Sequence, residues 1–141
     1  MKPRLSLVTL GVIDLPRATA FYEALGWPRR VRAAQGAAFF QLGPIALSLY
    51  PRAELARDAG VPEQTGPVQG FTLAHNTRTR GEVDAVLAAA EAAGGRITQV
   101  ASAAFWGGYH GHFADTDGFL WEVAWNPGFG LGPDGALALP D

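Results

Sequence analysis

The chain has 141 residues, 48% hydrophobic and 17% charged, with a net charge of −2 and no cysteine. A chain of this size and apolarity can bury a core without covalent staples, and the missing cysteines exclude disulfides, thiolate metal sites and cysteine nucleophiles. No long basic run marks a nucleic-acid or membrane-surface partner, and no apolar run approaches a membrane span.

Met1-Lys2-Pro3-Arg4 leads into an alternating segment rather than a signal peptide's apolar stretch, so a cytoplasmic location is the expectation. Leu5 to Val12 is apolar and β-branched and reads as a strand. Asp14 follows as a helix N-cap with Pro16 in the first turn. Ala18, Phe21, Tyr22 and Leu25 recur at helical spacing, and Gly26 stops the helix. Three short strands are predicted at Arg29–Ala34, Ala37–Leu42 and Ile45–Tyr50, with turns at Gln35-Gly36 and Gly43-Pro44. Residues 52–67 form a linker, with a short helix over Arg52–Ala59.

The pattern then repeats. Val68–His75 reads as a strand, Thr79-x-x-Glu82 as a capping box, and Val83, Val86, Leu87, Ala90 and Ala93 as the apolar face of a helix ended by Gly94-Gly95. Arg96–Ala101 is a strand and Ala104–Gly108 a glycine-aromatic loop. Tyr109–Ala114 and Phe119–Trp125 make a hairpin around Asp115-Thr116-Asp117-Gly118, where aspartate can bond its own backbone and glycine tolerates positive φ. Pairing Asp14 with Thr79 sets two copies of strand–helix–three strands 65 residues apart. The expected fold is α+β: two βαβββ modules, residues 4–51 and 68–127, forming a curved, partly open mixed β-sheet barrel with helices outside and a cavity between the sheets. The tail, residues 128–141, is expected to drape over the surface.

Two segments resemble a known family. Gly11-Val12-Ile13-Asp14-Leu15-Pro16-Arg17-Ala18-Thr19-Ala20-Phe21-Tyr22-Glu23-Ala24-Leu25-Gly26-Trp27 is similar to the first βα unit of glyoxalase and bleomycin-resistance proteins. Phe113-Ala114-Asp115-Thr116-Asp117-Gly118-Phe119-Leu120-Trp121-Glu122 resembles the closing hairpin of the same vicinal-oxygen-chelate superfamily, with Thr116 where proline is usual. The resemblance covers about residues 4 to 127. It implies the fold and a homodimer. It leaves the function open, because the superfamily includes lyases, epimerases, dioxygenases, transferases and drug-binding proteins.

The resemblance also implies four metal-ligand positions, at which an ion would polarise neighbouring substrate oxygens. They fall on Leu7, Leu47, Phe71 and Glu122. Leucine and phenylalanine cannot coordinate a divalent ion, and zinc takes about four protein and solvent ligands. The family-type metal centre is therefore expected to be absent. Glu122 then reads as a carboxylate in a polar network, as a substrate contact or as a metal ligand.

His112 lies ten residues before Glu122, and the two face each other across an antiparallel hairpin with a short turn. His110, two residues away, shares that face, whereas a one-residue slip would turn all three outward. His112 and Glu122 can act as acid and base, since a carboxylate holds an imidazole and raises its pKa. The plainer reading is two solvent-facing or structurally bonded histidines. A third is a relocated metal site of His110, His112 and Glu122. Trp106 can stack on a planar or cationic ligand. Leu7, Thr9, Leu47 and Phe71 complete an apolar pocket. Trp121 and Trp125 belong on the opposite face as core, Trp27 fits either role, and His75 is surface.

Three functions follow: a small-molecule-binding protein without metal or other cofactor, a metal-independent isomerase or lyase using His112 and Glu122, and a metal-dependent enzyme with an unusual ligand set.

Overall fold

Secondary structure in the computed structural model follows the capping and turn chemistry of the sequence closely; residues 1, 5–66 and 70–140 are described. The elements are β1 (Leu7–Val12), α1 (Leu15–Ala24), β2 (Arg29–Arg30), β3 (Ala38–Leu42), β4 (Ile45–Pro51), α2 (Arg52–Ala59), β5 (Leu73–Asn76), α3 (Arg80–Ala92), β6 (Arg96–Ala103), β7 (Tyr109–Ala114), β8 (Leu120–Trp125), β9 (Gly130–Leu131) and β10 (Leu137–Ala138). The chain divides into two units, Met1–Gly66 and Pro67–Asp141.

In the first unit the sheet runs in the order β1-β4-β3-β2, parallel between β1 and β4 and antiparallel elsewhere. The Asp14 carboxylate accepts the Arg17 N–H at 3.0 Å and so starts α1, with proline in the first turn. One face of the sheet carries Leu10, Val12, Ala38, Phe40, Leu47 and Leu49, each at most 2% exposed. The rings of α1 pack there: Tyr22 lies 5.7 Å from Phe40 and stacks on Trp27 at 5.4 Å. Trp27, half-buried, thus packs on the edge of the core. The other face carries Leu7, Thr9 and Gly11, opposite Ala46, Ser48 and Tyr50 on β4. At one end of this face α2 closes over Gly11, where an added Cβ would lie 3.1 Å from Leu55 Cδ2 and 3.3 Å from Arg52 Cα. Tyr50 anchors the same helix by donating to Asp58 at 3.0 Å.

One strand is shorter than the sequence suggests. The segment Arg29–Ala34 gives only two strand residues, because Val31 adopts a φ of 46°. The Arg29 guanidinium donates to the carbonyls of Ala34 and Ala37, drawing the following loop around itself.

The second unit repeats the topology, β5-β8-β7-β6, with β5 and β8 parallel. Thr79 caps α3 by accepting the Glu82 N–H at 3.2 Å, while the Glu82 carboxylate reaches back to the Arg78 N–H at 2.7 Å. Both ends of the capping box are therefore satisfied, one residue further back than the simplest pattern. The apolar side of α3 (Val83, Leu87, Ala90) is buried against one sheet face. Gly111 is required there, since a Cβ would come within 2.7 Å of Leu87 and 3.0 Å of the Ala101 backbone. On the same face Phe113 and Trp121 stack at 6.2 Å, and the Arg80 guanidinium sits 5.0 Å from the Trp125 ring.

Two other expectations change. Residues 68 and 69 of the predicted strand Val68–His75 lie outside the described residues, and the observed strand is β5, Leu73–Asn76. The tail is organised: β9 and β10 pair as a ribbon, and Arg78 donates to the carbonyls of Leu131, Gly132 and Pro133. No helix among the described residues is long and apolar enough to cross a membrane.

The hairpin turn between β7 and β8 is held by Asp115, whose Oδ1 accepts the N–H groups of Asp117 and Phe119, each at 2.9 Å. Asp115 is 6% exposed and Gly118 has a φ of 90°. Asp115→Ala is expected to cost about 2–4 kcal/mol, since two backbone donors lose a charged acceptor at a buried turn. Asp14→Ala, at an exposed helix cap, is expected to cost about 1 kcal/mol. Urea unfolding of both variants measures the difference, and equal losses would contradict it.

Candidate functional site

The β7–β8 register pairs His110 with Ala124, His112 with Glu122 and Ala114 with Leu120. Alternation along a strand puts these six side chains on one face. That face is opposite α3, because Gly111, Phe113, Trp121 and Val123 meet the helix side. His110 Nδ1 lies 2.8 Å from Glu122 Oε1, with side chains 19% and 28% exposed. The His110 and His112 rings stand 5.4 Å apart, edge to face. One donor atom from each of His110, His112 and Glu122 lies within 4.8 Å of the others.

His112 and Glu122, expected as an acid–base pair, face each other as the hairpin geometry predicts. The two residues are directly opposite, but Glu122 bonds diagonally to His110. Long side chains reach diagonal neighbours on a sheet, and here that contact wins. His112 has a different environment. Its Nδ1 is shut off from solvent and has no hydrogen-bond partner among the described residues. Burial pushes its pKa below the ordinary 6.5, the nearby Glu122 carboxylate opposes this, and His110 adds to it. His112 is therefore held toward the neutral form.

Trp106 closes one side of this cluster. The loop before β7 is tight: Ala104 N–H donates to the Gly108 carbonyl at 2.9 Å, and Gly107 N–H to the Ala104 carbonyl at 3.0 Å. The indole folds back over Gly108, where an added Cβ would fall 1.6 Å from a ring carbon. This brings the indole edge-on to His110, centroids 5.5 Å apart, while Trp106 stays 37% exposed. Phe105, its neighbour, points away and is fully exposed.

The other expected residues fall as follows. Leu7, 42% exposed, and Thr9 lie on the face of the first sheet away from α1. Leu47 does not: it pairs with Val8 and Phe40 and is 1% exposed on the core face. Its neighbour Ser48, paired with Thr9, occupies the face assigned to it. The physical reason is strand alternation, since a shift of one residue exchanges the faces. The lone hydroxyl in Leu47-Ser48-Leu49 was the available signal. Phe71 precedes β5 and is 42% exposed, outside the paired sheet. The 65-residue repeat places Thr72 rather than Phe71 in the role of Leu7, and the Thr72 hydroxyl donates to the Leu120 carbonyl of β8 at 3.1 Å. Beside Glu122 on the second sheet stands Ala74. His75 points the other way, opposite Val123, and is exposed. Gly108 was missed as a functional position, although Trp106-Gly107-Gly108 is itself the signal.

A divalent ion of the family type does not fit the carried-over positions. Leu7, Leu47 and Phe71 offer no donor atom, and the relocated Ser48 and Thr72 offer only neutral hydroxyls. Glu122 is the single strong ligand among them. No catalytic step follows from that set.

The model for the Glyoxalase/Bleomycin resistance protein/Dioxygenase superfamily matches residues 4–123. A glyoxalase-related enzyme from Fulvimarina pelagi is 34% identical, covers 99% of each chain and superposes with a TM-score of 0.91. A glyoxalase/bleomycin resistance protein/dioxygenase from Nocardioides is 24% identical over 94% of this chain and 91% of its own, with a TM-score of 0.73. A lactoylglutathione lyase from Agrobacterium tumefaciens is 23% identical over 88% of this chain and 94% of its own, with a TM-score of 0.67. The last two show the fold alone. No curated protein matches the chain in sequence. The matching model and the repeated βαβββ topology together place the chain in the glyoxalase/bleomycin resistance protein/dioxygenase superfamily.

Proposed function

We propose that the chain binds a small planar nitrogen heterocycle on the face of its second sheet that carries His110, His112 and Glu122. Trp106 supplies the stacking surface. The His110–Glu122 pair supplies the polar end, with Glu122 accepting from an N–H edge of the ligand. The reading rests on one observation above the rest: a half-exposed indole is held against a histidine that also bonds a partly buried carboxylate. An aromatic wall beside a few convergent polar groups is the usual make-up of a small-molecule site.

Two substitutions test this. Trp106→Ala is expected to weaken binding of a planar heteroaromatic amine by about 2- to 10-fold, the worth of one aromatic contact. Calorimetric titration of a small panel of such amines, with a chelator present, measures it. An unchanged affinity across the panel would move the site elsewhere.

Gly108→Ala is expected to dislodge the indole while leaving the fold intact, because the clash is with a side chain that can swing away. The near-ultraviolet dichroism should change in Gly108→Ala but not when the same substitution is made in Trp106→Phe. A change of equal size in both backgrounds would show that the glycine serves the backbone instead.

A further inference from the structure

On the second sheet two imidazoles outside the four carried-over positions converge on Glu122, the one carried-over position with a donor. His110 and His112 are two residues apart on β7, and Glu122 faces them from β8. Neither histidine belongs to the carried-over set. Alternation along one strand and pairing across one hairpin bring them together with Glu122.

We propose that His110, His112 and Glu122 form a binding site for a divalent d-block cation such as zinc, cobalt or nickel. This rests on the proposed ligand site and names what its polar end would hold. Three observations carry it. The donors lie within 4.8 Å of one another. Around a tetrahedral ion with bonds of about 2.0–2.2 Å the donors stand about 3.3–3.6 Å apart, so rotamer shifts of about 1–1.5 Å complete the set. His110 Nδ1 and Glu122 Oε1 are joined by a 2.8 Å hydrogen bond, which an ion would replace by opening the pair to about 3.3–3.6 Å. His112 Nδ1 is enclosed and has no hydrogen-bond partner among the described residues. A buried ring nitrogen without a partner is a cost to the fold unless something satisfies it.

The donor types select the ion. Two imidazoles and one carboxylate suit zinc, cobalt, nickel or copper, whereas magnesium and calcium call for oxygen-rich sets. Three protein ligands leave a fourth position open, the arrangement found in reactive zinc sites rather than in closed structural ones. Trp106 stands beside His110 and would border that open position.

The test uses the intact chain without an affinity tag, stripped with chelator and then titrated with cobalt or zinc chloride alone. One equivalent is expected to bind, with a cobalt absorption spectrum of mixed nitrogen and oxygen ligation, and magnesium chloride should not compete. His110→Gln, His112→Gln and Glu122→Gln should each weaken binding by at least about tenfold. Circular dichroism checks that each variant remains folded. His75→Gln, outside the cluster, should bind as the parent does and controls for a lone surface histidine.

Absence of binding at millimolar cobalt, or binding unchanged in both His110→Gln and His112→Gln, would overturn the proposal. So would loss of binding in His75→Gln alone. Should a cluster variant unfold, the cobalt spectrum of the parent decides: a spectrum of oxygen ligands only refutes the site. The two readings fail separately. Heterocycle binding measured in chelator without any cobalt binding removes the cation and leaves the ligand site. Cobalt binding without heterocycle binding does the reverse.

Discussion

The register of one hairpin governs the chemistry of the second unit. Asp115 accepts two backbone N–H groups across the turn, and Gly118 takes the positive φ that lets the chain reverse there. This fixes which residue of β7 faces which residue of β8. Side-chain period in a strand is two, so a slip of one residue would carry His110, His112 and Glu122 to the helix side and bring Phe113 and Trp121 out. The apolar face locks the same register independently. Phe113 stacks on Trp121, and Gly111 leaves room for Leu87 of α3. The polar cluster thus sits on the face left over once the core face is packed.

Both units are built on one plan, yet they carry different chemistry. β1-β4-β3-β2 and β5-β8-β7-β6 are the same order of strands, with helix α1 or α3 on one face. On the face away from α1 the first sheet has Leu7, Thr9, Ala46 and Ser48. On the corresponding face of the second stand two histidines and a glutamate. Identical topology therefore fixes where side chains point and leaves open what they do, which is why family membership settles the fold and not the reaction.

The elements most readable from sequence are those decided locally. Asp14, Pro16 and Gly26 bound α1, and Thr79 and Glu82 start α3, because a cap needs only residues within one turn of itself. What long-range pairing decides was less legible. Arg29–Ala34 has no breaker in its sequence, and only the reach of Arg29 to the Ala34 and Ala37 carbonyls shows why it stops being a strand. Leu47 and Ser48 are adjacent, and the choice between them depends on which lies across from Thr9, a contact spanning about forty residues. The same holds for Glu122: its partner on the opposite strand was legible from hairpin geometry, but its hydrogen-bond partner depends on side-chain reach. Gly108 is intermediate, since its need arises from an indole two residues before it.

These distinctions bear on how robust the cluster is. The carried-over ligand positions Leu7 and Leu47 lie in the first unit, and Phe71 and Glu122 in the second. A centre built from them draws on strands far apart in sequence, and leucine or phenylalanine at three of the four offers no donor. His110, His112 and Glu122 need less, because two adjacent strands and one turn define their separation. Their geometry follows from the backbone of a single hairpin, where paired residues have Cβ atoms about 4.5–5.5 Å apart. Glu122 is the single carboxylate shared by both arrangements: it bonds His110, faces His112, and opposes the effect of burial on the His112 pKa.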